Sequence, residues 1–161
     1  MSPQRTQIRP ALQRILHEEA AGLTELEELL HRETEVLQGE DIAAIHSIGT
    51  ARHRCVERLT HLDSERADLC RMLSFGRGLA AVEKLLVWTD PQGELQLGWQ
   101  ANLQVARRCR DINDRNGAIV AVKLGRVQQR LALLRGSPIP QVYGRKPGRH
   151  VALAARPLGR A

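Results

Sequence analysis

The sequence predicts an all-α protein: an elongated antiparallel three-helix bundle or coiled coil, with a short extra helix and a flexible C-terminal tail. Three observations predict it. Leu, Ala, Glu, Arg and Gln are abundant, β-branched residues are scarce and only four residues are aromatic. Apolar residues recur in alternating steps of four and three along three long stretches, the spacing that gathers side chains onto one stripe of a helix. Glycine, proline and aspartate fall between those stretches, where they stop one helix and start the next. At 161 residues and 42% apolar composition, the helices can share one core.

The first helix is expected over about 10–38. Pro10 suits its first turn, and residues 1–9 hold too few apolar groups to be firmly packed. Its stripe is Leu12, Leu16, Glu19, Leu23, Leu26, Leu30, Glu33 and Leu37. The two glutamates are expected at a wet edge, because a buried, unpaired carboxylate is costly. Gly39 ends the helix and Asp41 is placed to cap the next. The second helix, about 42–73, carries Ile45, Ile48, Arg52, Cys55, Leu59, Leu62, Arg66, Leu69 and Leu73 on one stripe. Arg52 and Arg66 interrupt this stripe as Glu19 and Glu33 interrupt the first, so an antiparallel hairpin can bring opposite charges together. A break at Ser74-Phe75-Gly76-Arg77-Gly78 precedes a short helix, about 79–87. Thr89-Asp90-Pro91-Gln92-Gly93 is turn chemistry.

The longest stretch, about 94–135, organises the chain. Its stripe runs Trp99, Leu103, Ala106, Arg110, Asn113, Gly117, Val120, Leu124, Val127, Leu131, Leu134. Asn116-Gly117 would signal a tight turn in a loop, but the pattern continues in phase on both sides, so the helix is expected to run through it. A glycine on the stripe either admits close approach of another backbone or leaves a kink or gap. Gly136, Arg135, Pro138 and Pro140 terminate the helix. The chain thus divides into a helical domain, 1–136, and a basic tail, 137–161, without usable periodicity.

No chemistry of bond making is legible. The six histidines form no i, i+4 metal pair, adjacent Glu18 and Glu19 do not face each other on a helix, and there is neither a phosphate-binding glycine loop nor a nucleophile motif. No catalytic residue, metal or cofactor is expected. Cys55, Cys70 and Cys109 are odd in number and widely spaced, as suits small buried residues of a reducing compartment. With no apolar run near the length of a membrane span and no secretory signal, the expected location is cytoplasmic.

Charge is uneven. The segment from Gly136 onward carries Arg145, Lys146, Arg149, Arg156 and Arg160 with no acid, which is +5 of the total +6, while acids concentrate between Glu18 and Asp41. Arg108, Arg115, Arg126 and Arg130 fall on one face of the long helix, yet stacking aromatics and a known nucleic-acid module are absent, so nucleic acid is not the expected partner. A partner helix explains more: where the first two helices fail to cover the third, Val127, Leu131 and Leu134, widened by Leu133, offer an apolar stripe for another amphipathic helix. The competing class is a coiled-coil protein that self-associates through that stripe.

The run Trp99, Arg107-Arg108-Cys109-Arg110-Asp111-Ile112-Asn113-Asp114-Arg115-Asn116-Gly117, then Leu131-Ala132-Leu133-Leu134, Tyr143-Gly144 and Gly148, resembles the C-terminal half of the FlgN family of flagellar export chaperones over about fifty residues. The resemblance implies a cytoplasmic chaperone of flagellar type III secretion. Such a chaperone covers the amphipathic terminal helix of hook-filament junction proteins, prevents premature assembly and escorts them to the membrane export gate, without itself inserting in the membrane. It implies that Asn113, Asn116 and Gly117 are the family core, that the helix beyond them with Val120, Leu124, Val127, Leu131 and Leu134 binds the client, and that Tyr143 docks at the gate. Arg145-Lys146-Pro147 stands where the family element usually has an acidic residue before its glycine.

Overall fold

In the computed structural model, which describes residues 3–136, α1 (Pro3–Gln38) is the central rod and every other helix packs on it. Its whole predicted stripe is turned inward: Leu12, Leu16, Leu23, Leu30 and Leu37 are buried, and so are Glu19 and Glu33. The helix starts at Pro3, not at Pro10. Pro10 lies inside it, and the extra turns hold because Ile8 is buried in the core and the Arg5 guanidinium stacks 5.3 Å from the Trp88 ring.

α2 (Ile42–Met72) runs antiparallel to α1 after a short turn, with Asp41 accepting a hydrogen bond from the Ala44 amide at 3.0 Å as its N-cap. Cys55, Leu59 and Leu62 bury its central stripe. α1 and α2 pack closely at Gly22, where an added Cβ would lie 2.8 Å from the Leu59 side chain. The Cys55 thiol donates to the Gly22 carbonyl at 3.2 Å. α3 (Leu79–Thr89) closes one end with Ala81, Val82, Leu85 and Leu86. The following turn is fixed by buried Asp90, whose carboxylate accepts from the Leu95 amide at 2.7 Å, and by Gly93 in the left-handed region at φ 86°.

α4 (Glu94–Leu134) is an uninterrupted 41-residue helix, about 60 Å long at 1.5 Å per residue. It passes straight through Asn116-Gly117, as the periodicity predicts, and ends at Gly136, which adopts φ 62°. α4 runs parallel to α1 at a constant offset. Its side chains reach α1 carbonyls at seven-residue intervals: Asn102 donates to Leu16 at 3.0 Å, the Cys109 thiol to Leu23 at 3.7 Å and Asn116 to Leu30 at 3.0 Å. Lys123 then donates to Gly39, the last carbonyl before the turn, at 2.6 Å. The face α4 buries is Leu95, Trp99, Asn102, Cys109, Ile112 and Asn116. Through the middle of the helix this is one residue before the predicted Leu103, Ala106, Arg110, Asn113 and Gly117, and Arg110 is exposed.

Among the described residues, no Cα of α2 comes within 8 Å of one in α4, so these two helices meet only through side chains. One contact between α1 and α2, on which Trp99 of α4 closes, was expected to be wet and is dry. Glu19 and Arg66, 5% and 4% exposed, form an ion pair in the interior, with Asp63 on the other side of the guanidinium and the Trp99 ring 4.6 Å from its carbon. The predicted opposition of the glutamates of α1 and the arginines of α2 holds. The predicted exposure of Glu19 and Glu33 does not, because each carboxylate has a partner that supports it inside. Burial pushes the Glu19 carboxyl above its usual range, and Arg66 opposes that shift.

Candidate partner-binding surface

Asn116 is 2% exposed and is the hub of a polar network one step below the free end of the bundle. Its amide donates to the Leu30 carbonyl at 3.0 Å and to Glu33 at 2.9 Å, and its oxygen accepts from the Thr34 hydroxyl at 2.7 Å. Glu33 also faces Arg52 of α2 at 3.5 Å, and Arg52 donates to Asn113 at 2.9 Å. Asn113 and Asn116 therefore tie three helices at one level. Asn116 is enclosed, whereas Asn113 and Gly117 lie on the exposed flank. Nothing stands within 4 Å of a Cβ placed on Gly117, so the close approach that a stripe glycine permits occurs at Gly22 instead. We expect Asn116→Ala to destabilise the fold by about 1–3 kcal/mol in urea titration, since Glu33 loses a donor in a dry setting.

Past the end of α1 the packing stops. The buried clusters reach no further along α4 than Ile112, and α1 ends level with Lys123. Eleven residues of α4 continue past Lys123, about 16 Å of helix. The steps from Asn116 to Val120, Leu124, Val127, Leu131 and Leu134 are four, four, three, four and three, so the face packed against α1 below continues in phase up to the end of α1 and past it. Val120, Leu124 and Val127 are 47–56% exposed, Leu131 44% and Leu134 84%, and Leu133 and Val122 widen the patch. Isolated exposed leucines are ordinary on a protein surface, whereas here a continuous apolar stripe over four turns is left uncovered. Across the open side, Ile45 and Ile48 of α2 are only half-buried. Tyr143, together with the rest of 137–161, lies outside the described residues.

The other candidates are structural. Arg108 of the basic face is held by Glu27 at 2.6 Å and 3.1 Å, and the guanidinium draws that carboxyl below its usual range. His53 and His61 sit beside Glu57 and Glu65 one turn on, and no cluster of three metal-ligating side chains occurs among the described residues. All three cysteines are free and buried, and burial pushes the Cys109 thiol up to about 11, far from the thiolate a nucleophile needs. Among the described residues no helix is long and apolar enough to cross a membrane.

Periodicity alone misread one feature: the seam of α4 runs through Asn102, Cys109 and Asn116, which apolar counting passes over. The usable signal was their strict seven-residue spacing, matched to Leu16, Leu23 and Leu30. No curated protein and no solved structure matches the sequence. The FlgN protein family does match, over residues 8–149, a span that holds the four helices almost entire, the network of Asn113 and Asn116 and the uncovered end of α4. Covering most of the chain, that match settles what the motif and the architecture suggest: the chain belongs to the FlgN family of flagellar export chaperones.

Proposed function

We propose that the uncovered end of α4 receives the amphipathic terminal helix of a hook-filament junction protein in the cytoplasm, keeps it from assembling early and carries it to the flagellar export gate. Chaperones of this family bind flagellar hook-associated proteins, which is the starting point of the reading. The single observation that supports the finer claim is the continuation of the packing face of α4 past the end of α1. A helix laid along Val120, Leu124, Val127, Leu131 and Leu134 takes the place α1 occupies lower down. In this reading Gly117 and Asn113 border the guest, while Asn116 holds α4 at the height where the stripe emerges. No reacting group, nucleic acid or membrane insertion takes part.

Size-exclusion chromatography with light scattering tests the proposal: mixing with a hook-filament junction protein should give a defined one-to-one complex, and truncating that client's terminal helix should abolish it. A complex that survives truncation overturns the reading. Tyr143 belongs to the second half of the task. Tyr143→Ala is expected to leave client affinity within about twofold and to reduce secretion of the client in a motility or export assay. Loss of client binding in that variant would place the tyrosine in the chaperone's own client site instead.

A further inference from the structure

Asp114 is the last acidic residue of the chain. The remaining 47 residues carry ten Lys and Arg and no acid, so residues 1–114 have a net charge of −4 and residues 115–161 one of +10, within the total of +6. The switch falls where the apolar stripe emerges. On a helix turning 100° per residue, Lys123 and Arg130 stand roughly 60–80° to one side of the middle of the stripe and Arg135 about 60° to the other, with Arg126 farther round on the Arg130 side. Arg126, Arg130 and Arg135 make no ion pair among the described residues, in contrast to Arg9, Arg14, Arg52, Arg58 and Arg66 lower in the bundle. The docking face is thus a leucine–valine stripe bordered by unpaired positive charge alone.

Resting on the proposed use of this stripe, we propose that its guest is an acidic amphipathic helix, with carboxylates flanking the apolar seam where they meet Arg126, Arg130 and Arg135. Two alternatives fit the same surface less well. A second copy of this chain would press basic borders together, and like charges across an interface oppose pairing. A nucleic acid would use the arginines and leave the leucines facing its phosphates unused. Complementary charge on the guest does three things at once: it steers encounter, selects against cationic helices and keeps the vacant stripe from closing on another copy.

The test uses the full chain and two fluorescein-labelled synthetic 20-residue amphipathic helices with the same leucine seam, one flanked by glutamate and one by lysine. Anisotropy should show the glutamate peptide binding at least about tenfold more tightly at low salt, with the preference collapsing as salt screens the pairs. The variant Arg126→Glu/Arg130→Glu, at positions exposed to solvent, should keep its helical circular dichroism and narrow or reverse the preference. Equal, salt-insensitive binding of both peptides that is lost in Leu131→Asp/Leu134→Asp overturns the charge inference while leaving the stripe as the docking site. Failure of both peptides to bind overturns the inference together with the stripe. A duplex oligonucleotide binding more tightly than the glutamate peptide, or a homodimer of the free chain at low salt, likewise overturns it.

Discussion

Leu131→Asp combined with Leu134→Asp is expected to abolish capture of the client helix while leaving the chaperone folded. Each leucine buried on binding contributes roughly 1.5–3 kcal/mol, so losing two costs about a thousandfold in affinity before the carboxylates add their own desolvation. The fold should not notice. Both side chains are exposed, the nearest buried cluster ends at Ile112, and the helix there has no tertiary partner to lose. Aspartate is a weaker helix former than leucine by a few tenths of a kcal/mol, which shortens the last turn at most. Titration calorimetry against the client, with circular dichroism on the free variant, checks both halves; a folded variant that still binds removes the end of α4 from the site.

The second large effect is on stability. Arg66→Leu strands the Glu19 carboxylate in the interior, where a lone charge costs about 3–5 kcal/mol, or roughly 10 °C in midpoint temperature for a chain of this size. It also strips the Trp99 ring of its cation. The double variant Glu19→Leu/Arg66→Leu should recover most of that loss, because two apolar groups fill the space without an unpaired charge. The pH dependence has a definite sign. Burial already raises the Glu19 carboxyl above 4.5, and removing Arg66 raises it further. A carboxyl with a higher folded than unfolded value favours the fold only while it is protonated, so the deficit of Arg66→Leu should shrink as pH falls towards that unfolded value and grow as pH rises. A deficit independent of pH, or a double variant no more stable than the single, would remove the buried pair as its cause.

These two sites also show what was legible in the amino-acid order. The stripes of α1 and α2 were readable residue by residue, because leucine at four-three spacing has one physical meaning. The break at Gly136 and the cap at Asp41 were readable because glycine and aspartate carry local backbone chemistry. The interior position of Glu19 was not, since polarity alone argues for water and only a partner 47 residues away reverses that argument. Asn116 failed for the same reason: its three hydrogen bonds all run to α1. The uncovered end of α4 was foreseeable from lengths alone, as the third long helix outlasts the first two, but that the face is the same one α4 buries lower down required the register between α1 and α4.

That register has a consequence for how far the free end projects. The rungs between α4 and α1 differ chemically: carboxamide at Asn102, thiol at Cys109, carboxamide at Asn116 and ammonium at Lys123. Sliding α4 by seven residues in one direction would carry the Asn116 carboxamide away from Glu33 and Thr34 into the apolar place of Cys109 beside Leu26 and Leu30; sliding it in the other would set the Cys109 thiol opposite Glu33 in place of that amide. Neither slip is tolerable, so the protein works as a gauge, with a single permitted setting for the length of rod held out to a visitor.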